Sequence, residues 1–344
     1  MKTILLPAKL LFYNLSRRID KTFIYPMSFT YSLNSECGLR CKTCNMWKRK
    51  TANLSGDEWL KIIQSIGSRP YWITVTGGNP FLRKDFSDIM QYIVKYNKPR
   101  IINFPVSGAY PETVVEKMRK VLEAAQGTNI IANVSIDGVG SQHDRLRGRK
   151  GDFDKTLQTY FELRKLQKDH TNLSLCTYTV VSKHNVKYLD NITKFIKQLG
   201  PDNYSFEIAE RREELCNMRG NFGLTKEQCL GVLGQFLGGR QKSRGTLIKL
   251  KSYLRSGYYL AVRENLLEGK IMRCFAGIAS VHISSDGQLW NCSTKARVMG
   301  NLKNQDFGPA FFGERAGAIR KESKLCSCWL SNAYYTNRLC SLVP

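Results

Sequence analysis

The chain has 344 residues with 11 cysteines, and 53 lysines and arginines outnumber 28 aspartates and glutamates for a net charge of +25. That length accommodates a core domain plus a small appendage, and cysteines that are odd in number and grouped by close spacing exclude a secreted disulfide framework in favour of an intracellular metalloprotein. The positive excess draws in anionic partners: a phosphorylated or nucleotide-linked small molecule, an anionic membrane surface, or RNA.

In chain order, residues 1–24 are a basic N-terminal segment. Ile4 to Leu15 is apolar with Lys2, Lys9, Arg17 and Arg18 around it, the pattern of a short interfacial helix. It is too short to span a bilayer, Pro7 interrupts it, and no small-residue cleavage site follows. A helix packed beneath the core is the alternative. Residues 25–215 carry the core: strands are expected near 27–33, 71–76, 100–106, 130–136, 174–181 and 203–208. Helical periodicity falls between them, near 56–66, 83–95, 111–125, 153–168 and 185–199. Alternating βα units imply a parallel sheet with helices outside. About six units fit, fewer than a closed eight-fold barrel needs, so an open partial barrel is expected. Residues 216–270 form a helical connector, and 271–344 a small cysteine-rich domain. Basic clusters recur at Arg17–Arg18, Lys48–Lys50, Arg145–Lys150 and Arg240–Arg244.

Cys37, Cys41 and Cys44 stand in the run CGLRCKTC shortly after the first expected strand. Soft thiolate ligands select zinc or iron–sulfur clusters. A structural zinc site takes four protein ligands, so zinc would require a distant fourth residue. An iron–sulfur cube normally takes four cysteines; with three, one iron stays open to a small molecule, which is a catalytic feature.

The CxxxCxxC spacing resembles that of the radical SAM enzymes. In that family the open iron of a [4Fe–4S] cluster chelates S-adenosylmethionine (SAM), and one electron cleaves it to a 5′-deoxyadenosyl radical that abstracts a substrate hydrogen. Thr76-Gly77-Gly78-Asn79-Pro80 resembles the family's Gly-Gly-Glu-Pro turn, with Asn79 in place of the usual glutamate. Glycines permit close backbone approach, so Gly77, Gly78 and Asn79 are expected at the methionine ammonium. Ser135-Ile136-Asp137-Gly138, His143-Asp144 and Arg147-Gly148 resemble a progression found in members with a cysteine-rich extension. That resemblance places Ser135 and Arg147 at the SAM carboxylate with Asp137 nearby; a planar guanidinium suits a carboxylate. His143 is expected either at the ligand or as a brace of the loop. Ser107-Gly108 sits where relatives carry a residue near SAM. Thr43 stands where relatives place an aromatic over adenine, a role left to Trp47 or another residue. All these positions fall at C-terminal strand ends, where βα barrels assemble active sites.

Cys274, Gly287-x4-Cys292, Cys326-Ser327-Cys328 and Cys340 resemble the SPASM and twitch domains appended to such cores. The stretch 279–292 reads as a β-hairpin about an Asp-Gly turn. Five C-terminal cysteines are fewer than a full SPASM domain holds, so one auxiliary cluster is expected on Cys274, Cys292, Cys326 and Cys328. Cys340 could replace either of the last two. A zinc–thiolate site is the alternative. Cys176, Cys216 and Cys229 are expected as small buried or half-buried residues.

The resemblance implies a SAM-cleaving oxidoreductase. An auxiliary iron–sulfur cluster would assist oxidation of a small or lipid-linked anionic metabolite, and a flavodoxin- or ferredoxin-type protein would donate low-potential electrons. The stretch before Cys37 is shorter than the peptide-binding domain many similar peptide maturases carry, which favours the small substrate. The alternatives are a peptide or protein maturase, an RNA-modifying enzyme, and a non-catalytic metal-binding protein that kept the fold. No RNA-binding module or aromatic-basic signature is present. The expected location is the cytoplasm, with peripheral attachment at the inner membrane face if the N-terminal segment is interfacial.

Overall fold

The computed structural model describes residues 6–237, 246–323, 326, 328–329 and 331–341. After helix α1 (Leu6–Ile19), strands and helices alternate: β1 (Ser28–Ser32), α2 (Gly56–Ile66), β2 (Trp72–Thr76), α3 (Phe86–Tyr92), β3 (Ile101–Val106), α4 (Pro111–Ala124) and β4 (Asn129–Ser135). They continue with α5 (Ser141–Arg147), α6 (Asp152–Asp169), β5 (Leu173–Val181), α7 (Leu189–Leu199) and β6 (Asn203–Ile208). A local signal starts α2 where the periodicity does. Ser55 caps α2 through its hydroxyl while Glu58 reaches back to the Ser55 amide, a reciprocal cap contributing about 1 kcal/mol.

β1 to β6 pair in sequence order, all parallel, and the sheet stays open. Alternation along each strand separates two faces. Phe29, Tyr31, Ile73, Val75, Ile102, Phe104, Ala132 and Val134 are buried in one core with Trp59 and Ile63 of α2, Met118 of α4, Leu163 of α6 and Ile192 of α7. Each large side chain so buried contributes about 1.5–3 kcal/mol. The opposite parity is polar: Ser28, Thr30, Thr74, Thr76, Asn103, Asn133 and Ser135 line a cavity of about 410 Å³ inside the curved sheet. Parallel strands packed on both faces normally read as continuous apolar runs; the polar parity is the local mark of a lumen.

The expected hairpin is present, as β7 (Ser280–Ile283) and β8 (Gln288–Trp290). Gly287 turns it with φ +86°, a conformation glycine adopts without a Cβ penalty. The hairpin extends the core sheet: β7 pairs parallel with β1, and β8 pairs antiparallel with β7 and with β9 (Val298–Asn301). Strand order is therefore β6-β5-β4-β3-β2-β1-β7-β8-β9.

The connector contains α8 (Lys226–Leu237) and α9 (Thr246–Glu268), and the chain continues through α10 (Phe307–Phe312), α11 (Glu314–Glu322) and α12 (Ser331–Ser341). α9 covers edge strand β6: the Tyr259 ring stacks on Phe206 at 4.2 Å, and its hydroxyl accepts from the Phe206 amide and donates to the Phe206 carbonyl. That satisfies edge groups otherwise open to another chain. α12 meets α9 through Tyr334 and Tyr258, 5.2 Å apart.

Two expectations change here. Arg17 is buried and donates to the Arg320 carbonyl at 2.7 Å, because α1 packs Leu10 and Tyr13 against Phe275, Ile278 and Cys340; Arg18 alone of that pair is exposed. Cys216 is exposed. The Arg240–Arg244 cluster and the first five residues lie outside the described residues. Among the described residues, no helix is long and apolar enough to cross a membrane.

Candidate active site

The cysteine loop leaves β1 and is pinned from three sides. Beneath it, the Gly78 amide donates to the Asn34 carbonyl at 2.9 Å and the Asn79 amide to that of Glu36 at 2.7 Å. Gly77 has φ +136°, and a Cβ on Gly78 would stand 2.1 Å from the Glu36 carbonyl oxygen, so only glycine fits. Beside it, the amides of Arg40 and Lys42 donate to the carbonyls of Arg147 and Leu146 at the end of α5, at 3.0 and 2.9 Å. From the third side, Asn217 Nδ2 donates to the Thr43 carbonyl at 2.7 Å. So held, Cys37, Cys41 and Cys44 line the lumen. Burial pushes Cys41 up to about 11 and Cys44 to about 12, with smaller upward contributions from the neighbouring thiols. Thiols in this state lose their protons when a metal takes them.

Arg147 enters from the end of α5. Its Nη1 donates to Asp137 Oδ2 at 3.1 Å, and its buried Nε has no partner among the described residues. Asp137 Oδ1 accepts from the Val180 amide at 2.8 Å, so Asp137 positions the guanidinium from behind. His143 is a brace: Nδ1 accepts from the Asp137 amide, which leaves Nε2–H to donate to Asp152, both at 3.3 Å. Ser135, Ser107, Gly78 and Arg147 all line the lumen. Asn79 is buried 3.5 Å from Ser107 Oγ, and its amide oxygen caps the next turn through the Phe81 amide. Trp47 is 36% exposed with Arg40 stacked over it at 4.4 Å, and Thr43, not Trp47, reaches the cavity.

Several lumen residues carried no motif. Lys251 and Arg255, on α9, are 5% and 6% exposed. Lys251 Nζ donates to Asn133 Oδ1 at 2.9 Å, and Asn133 donates to Asn103 at 2.6 Å. Burial holds Lys251 below the usual lysine value. The Arg255 guanidinium lies 5.5, 5.3 and 5.0 Å from the rings of Tyr178, Tyr258 and Tyr335. Glu207 is held by Arg212 and the Tyr178 hydroxyl, and Glu210 by Arg212 at 3.0 Å. On β7, His282 Nε2 lies 2.8 Å from Ser32 Oγ, whose hydroxyl donates to Glu214 at 3.4 Å. Burial holds the imidazole below its usual value. The available signal was the polar parity of the strands; nothing local marked Lys251 or Arg255.

The C-terminal thiols divide. Burial pushes Cys274 up to about 12 and raises Cys292; Cys292 and Cys326 lie close enough to raise Cys274 further, as Cys326 does Cys292. Cys326 Sγ lies 3.5 Å from Cys328 Sγ, and that contact pulls Cys326 down to about 6. Cys292 also lines the lumen. The structure does not bring Cys340 to this group: it is wholly buried with Leu10, Tyr13 and Phe275. Among the described residues, no three Cys, His, Asp or Glu side chains converge on a single metal-ion position.

Residues 31–196 match the Radical SAM superfamily. That stretch is a radical SAM domain. The chain is 26% identical over 173 residues to the sporulation killing factor maturation protein SkfB of Bacillus subtilis strain 168, a match covering 49% of this chain and 39% of that protein. It is 25% identical over 317 residues to an AdoMet-dependent heme synthase of Methanosarcina barkeri strain Fusaro, covering 86% and 84%. A similar fold occurs in native anSMEcpe with bound AdoMet and the Cp18Cys peptide, with TM-score 0.60, 16% identity, and coverage of 93% of this chain and 99% of that one. The open parallel sheet is thus the radical SAM partial barrel.

A radical SAM protein binds a [4Fe–4S] cluster and SAM, and this chain's residues fit both. Three half-buried thiols share one cavity with a guanidinium whose buried Nε has no partner among the described residues; a carboxylate is the acceptor that suits such a donor.

Proposed function

We propose that the chain is a SAM-cleaving enzyme that removes a hydrogen atom from a substrate held in the lumen. The observation carrying this reading is the single cavity lined by Cys37, Cys41, Cys44, Arg147 and Cys292. Cys37, Cys41 and Cys44 hold the cluster, which when bound supplies the electron for SAM cleavage. Arg147 and Ser135 bind the SAM carboxylate, with Asp137 fixing the guanidinium. Gly78 and Ser107 form the wall on which the methionine end rests, with Gly77 and Asn79 shaping the turn behind it. Cys274, Cys292, Cys326 and Cys328 would hold an auxiliary iron–sulfur cluster, which would supply an electron acceptor; of these residues Cys292 lines the cavity.

The substrate reading best supported is a peptide side chain, in keeping with a maturation protein and a peptide-bound fold among the similar proteins. A small anionic molecule is the second reading, favoured by the buried cations of the lumen and by the heme synthase, matched over 84% of its length.

The test is anaerobic. Reconstituted protein with SAM and a strong reductant should form 5′-deoxyadenosine, and Cys41→Ala should form none. No product from wild-type protein with its iron intact would overturn the reading. The outward side of α1 adds a location: Leu11, Phe12, Leu15 and Ile19 are exposed beside Arg18, a combination suited to an anionic membrane surface. Leu11→Glu with Phe12→Glu should abolish binding to phosphatidylserine vesicles, and unchanged binding would dispose of the idea.

A further inference from the structure

The lumen holds two buried cations, Lys251 and Arg255, that no carboxylate among the described residues neutralises. The acids that line the lumen have other partners: Glu207 and Glu210 meet Arg212, and Glu214 meets Ser32 and His282. Among the described residues, neither Lys251 nor Arg255 has a carboxylate within ion-pair distance. Lys251 spends one proton on Asn133 and keeps two. Among the described residues Arg255 Nε and Nη1 are buried without hydrogen-bond partners, although three tyrosine rings surround the group and the Tyr335 hydroxyl interacts with the guanidinium. Buried cations are costly unless paired and hydrogen-bonded, and aromatic faces offset only part of that cost.

Position gives the pair a use. α9 folds back so that Ile248 plugs the N-terminal ends of β3, β4 and β5 against Ile101, Ile131 and Cys176. Lys251 and Arg255 follow one and two helical turns later, and both face the cavity that also receives Cys37, Cys41, Cys44 and Arg147. Lys251 reaches Asn133, one inward position below Ser135 on β4.

We propose that Lys251 and Arg255 form a substrate subsite that takes a carboxylate deep in the lumen, below the SAM site, and so sets which substrate hydrogen faces SAM. The proposal rests on the hydrogen-abstraction reading for its purpose, but the binding itself can be measured without turnover. A carboxylate between the two groups supplies acceptors to Arg255 Nε and Nη1 and to the free Lys251 protons. The carboxylate could belong to a glutamyl side chain of a peptide or to a small dicarboxylate, since the chemistry of recognition is the same.

The experiment uses cluster-loaded protein saturated with SAM, so that Arg147 is already occupied, and titrates it calorimetrically. Three probes are glutarate, the blocked tripeptide acetyl-Ala-Glu-Ala-amide and its Gln counterpart. Glutarate or the Glu peptide should bind, and the Gln peptide should not. Arg255→Met should weaken binding by roughly tenfold or more, the loss of a charge-assisted pair, and Arg255→Lys should restore part of it. Lys251→Met gives a second, independent variant should Arg255→Met fail to fold. Tight binding of the Glu peptide with weak glutarate identifies a peptide substrate, and the reverse a small molecule. Equal affinity of wild type and both Met variants, or no binding of either carboxylate by wild type, overturns the subsite. If wild type makes no 5′-deoxyadenosine yet binds a carboxylate through Arg255, the enzymatic reading fails and the subsite stands.

Discussion

Arg147 Nη1 and Asp137 Oδ2 meet at 3.1 Å at the C-terminal ends of α5 and β4, with side chains 11% and 8% exposed. The pair is a positioning device: Asp137 is anchored to β5 through Val180, so the guanidinium keeps one orientation. Asp137→Ala leaves a buried cation unpaired and should cost about 3–5 kcal/mol, read as a lower urea midpoint. Asp137→Asn should fold better yet bind SAM more weakly with its iron retained. Unchanged SAM affinity in both variants would refute the positioning role.

Gly78 tests whether the turn beneath the cysteines is structural. Its added Cβ would lie 2.1 Å from the Glu36 carbonyl oxygen, whereas at Gly231 on α8 nothing lies within 4 Å. Gly78→Ala should displace the loop and lower iron content, while Gly231→Ala should leave iron unchanged and stabilise by up to about 1 kcal/mol. Equal iron in the two variants would contradict the close-approach argument.

The thiol groups make a paired prediction. Cys274→Ala with Cys292→Ala should remove one set of irons and leave the set on Cys37, Cys41 and Cys44. Cys340→Ala should keep both sets, because Cys340 packs with Leu10 and Tyr13. Zinc released by the first variant, or iron lost from the second, would redraw the ligand assignment.

His282 gives the pH dependence. Burial lowers its folded-state value below 6.5, so below pH 6.5 the unfolded chain binds the proton first. Its contribution to stability is therefore present above pH 6.5 and is lost as pH falls, with a limiting slope of about 1.4 kcal/mol per pH unit. His282→Gln should flatten that acid limb in urea denaturation of the metal-free protein. An identical slope in the variant would show that other groups carry it.

Legibility followed the range of the forces. β1 to β6 appear within two residues of where alternation put them, because pleat and burial act on neighbouring residues. β9 escaped notice: Val298-Met299-Gly300-Asn301 holds one strong strand former and no repeat, and only pairing with β8 defines it. Spacing also could not separate Cys340 from Cys326 and Cys328, since only the packing of α12 on α1 puts Cys340 beside Leu10 and Tyr13.

The sequence by itself determined the alternating βα core, the Cys37–Cys41–Cys44 loop and the Gly77-Gly78 turn, all encoded within a few residues of one another. Only the tertiary structure decided that β7 joins β1, that Arg17 is buried, and that Lys251 and Arg255 enter the lumen. Those depend on contacts between segments far apart in the chain. Burial there is set by which surfaces meet, and no local pattern carries that information.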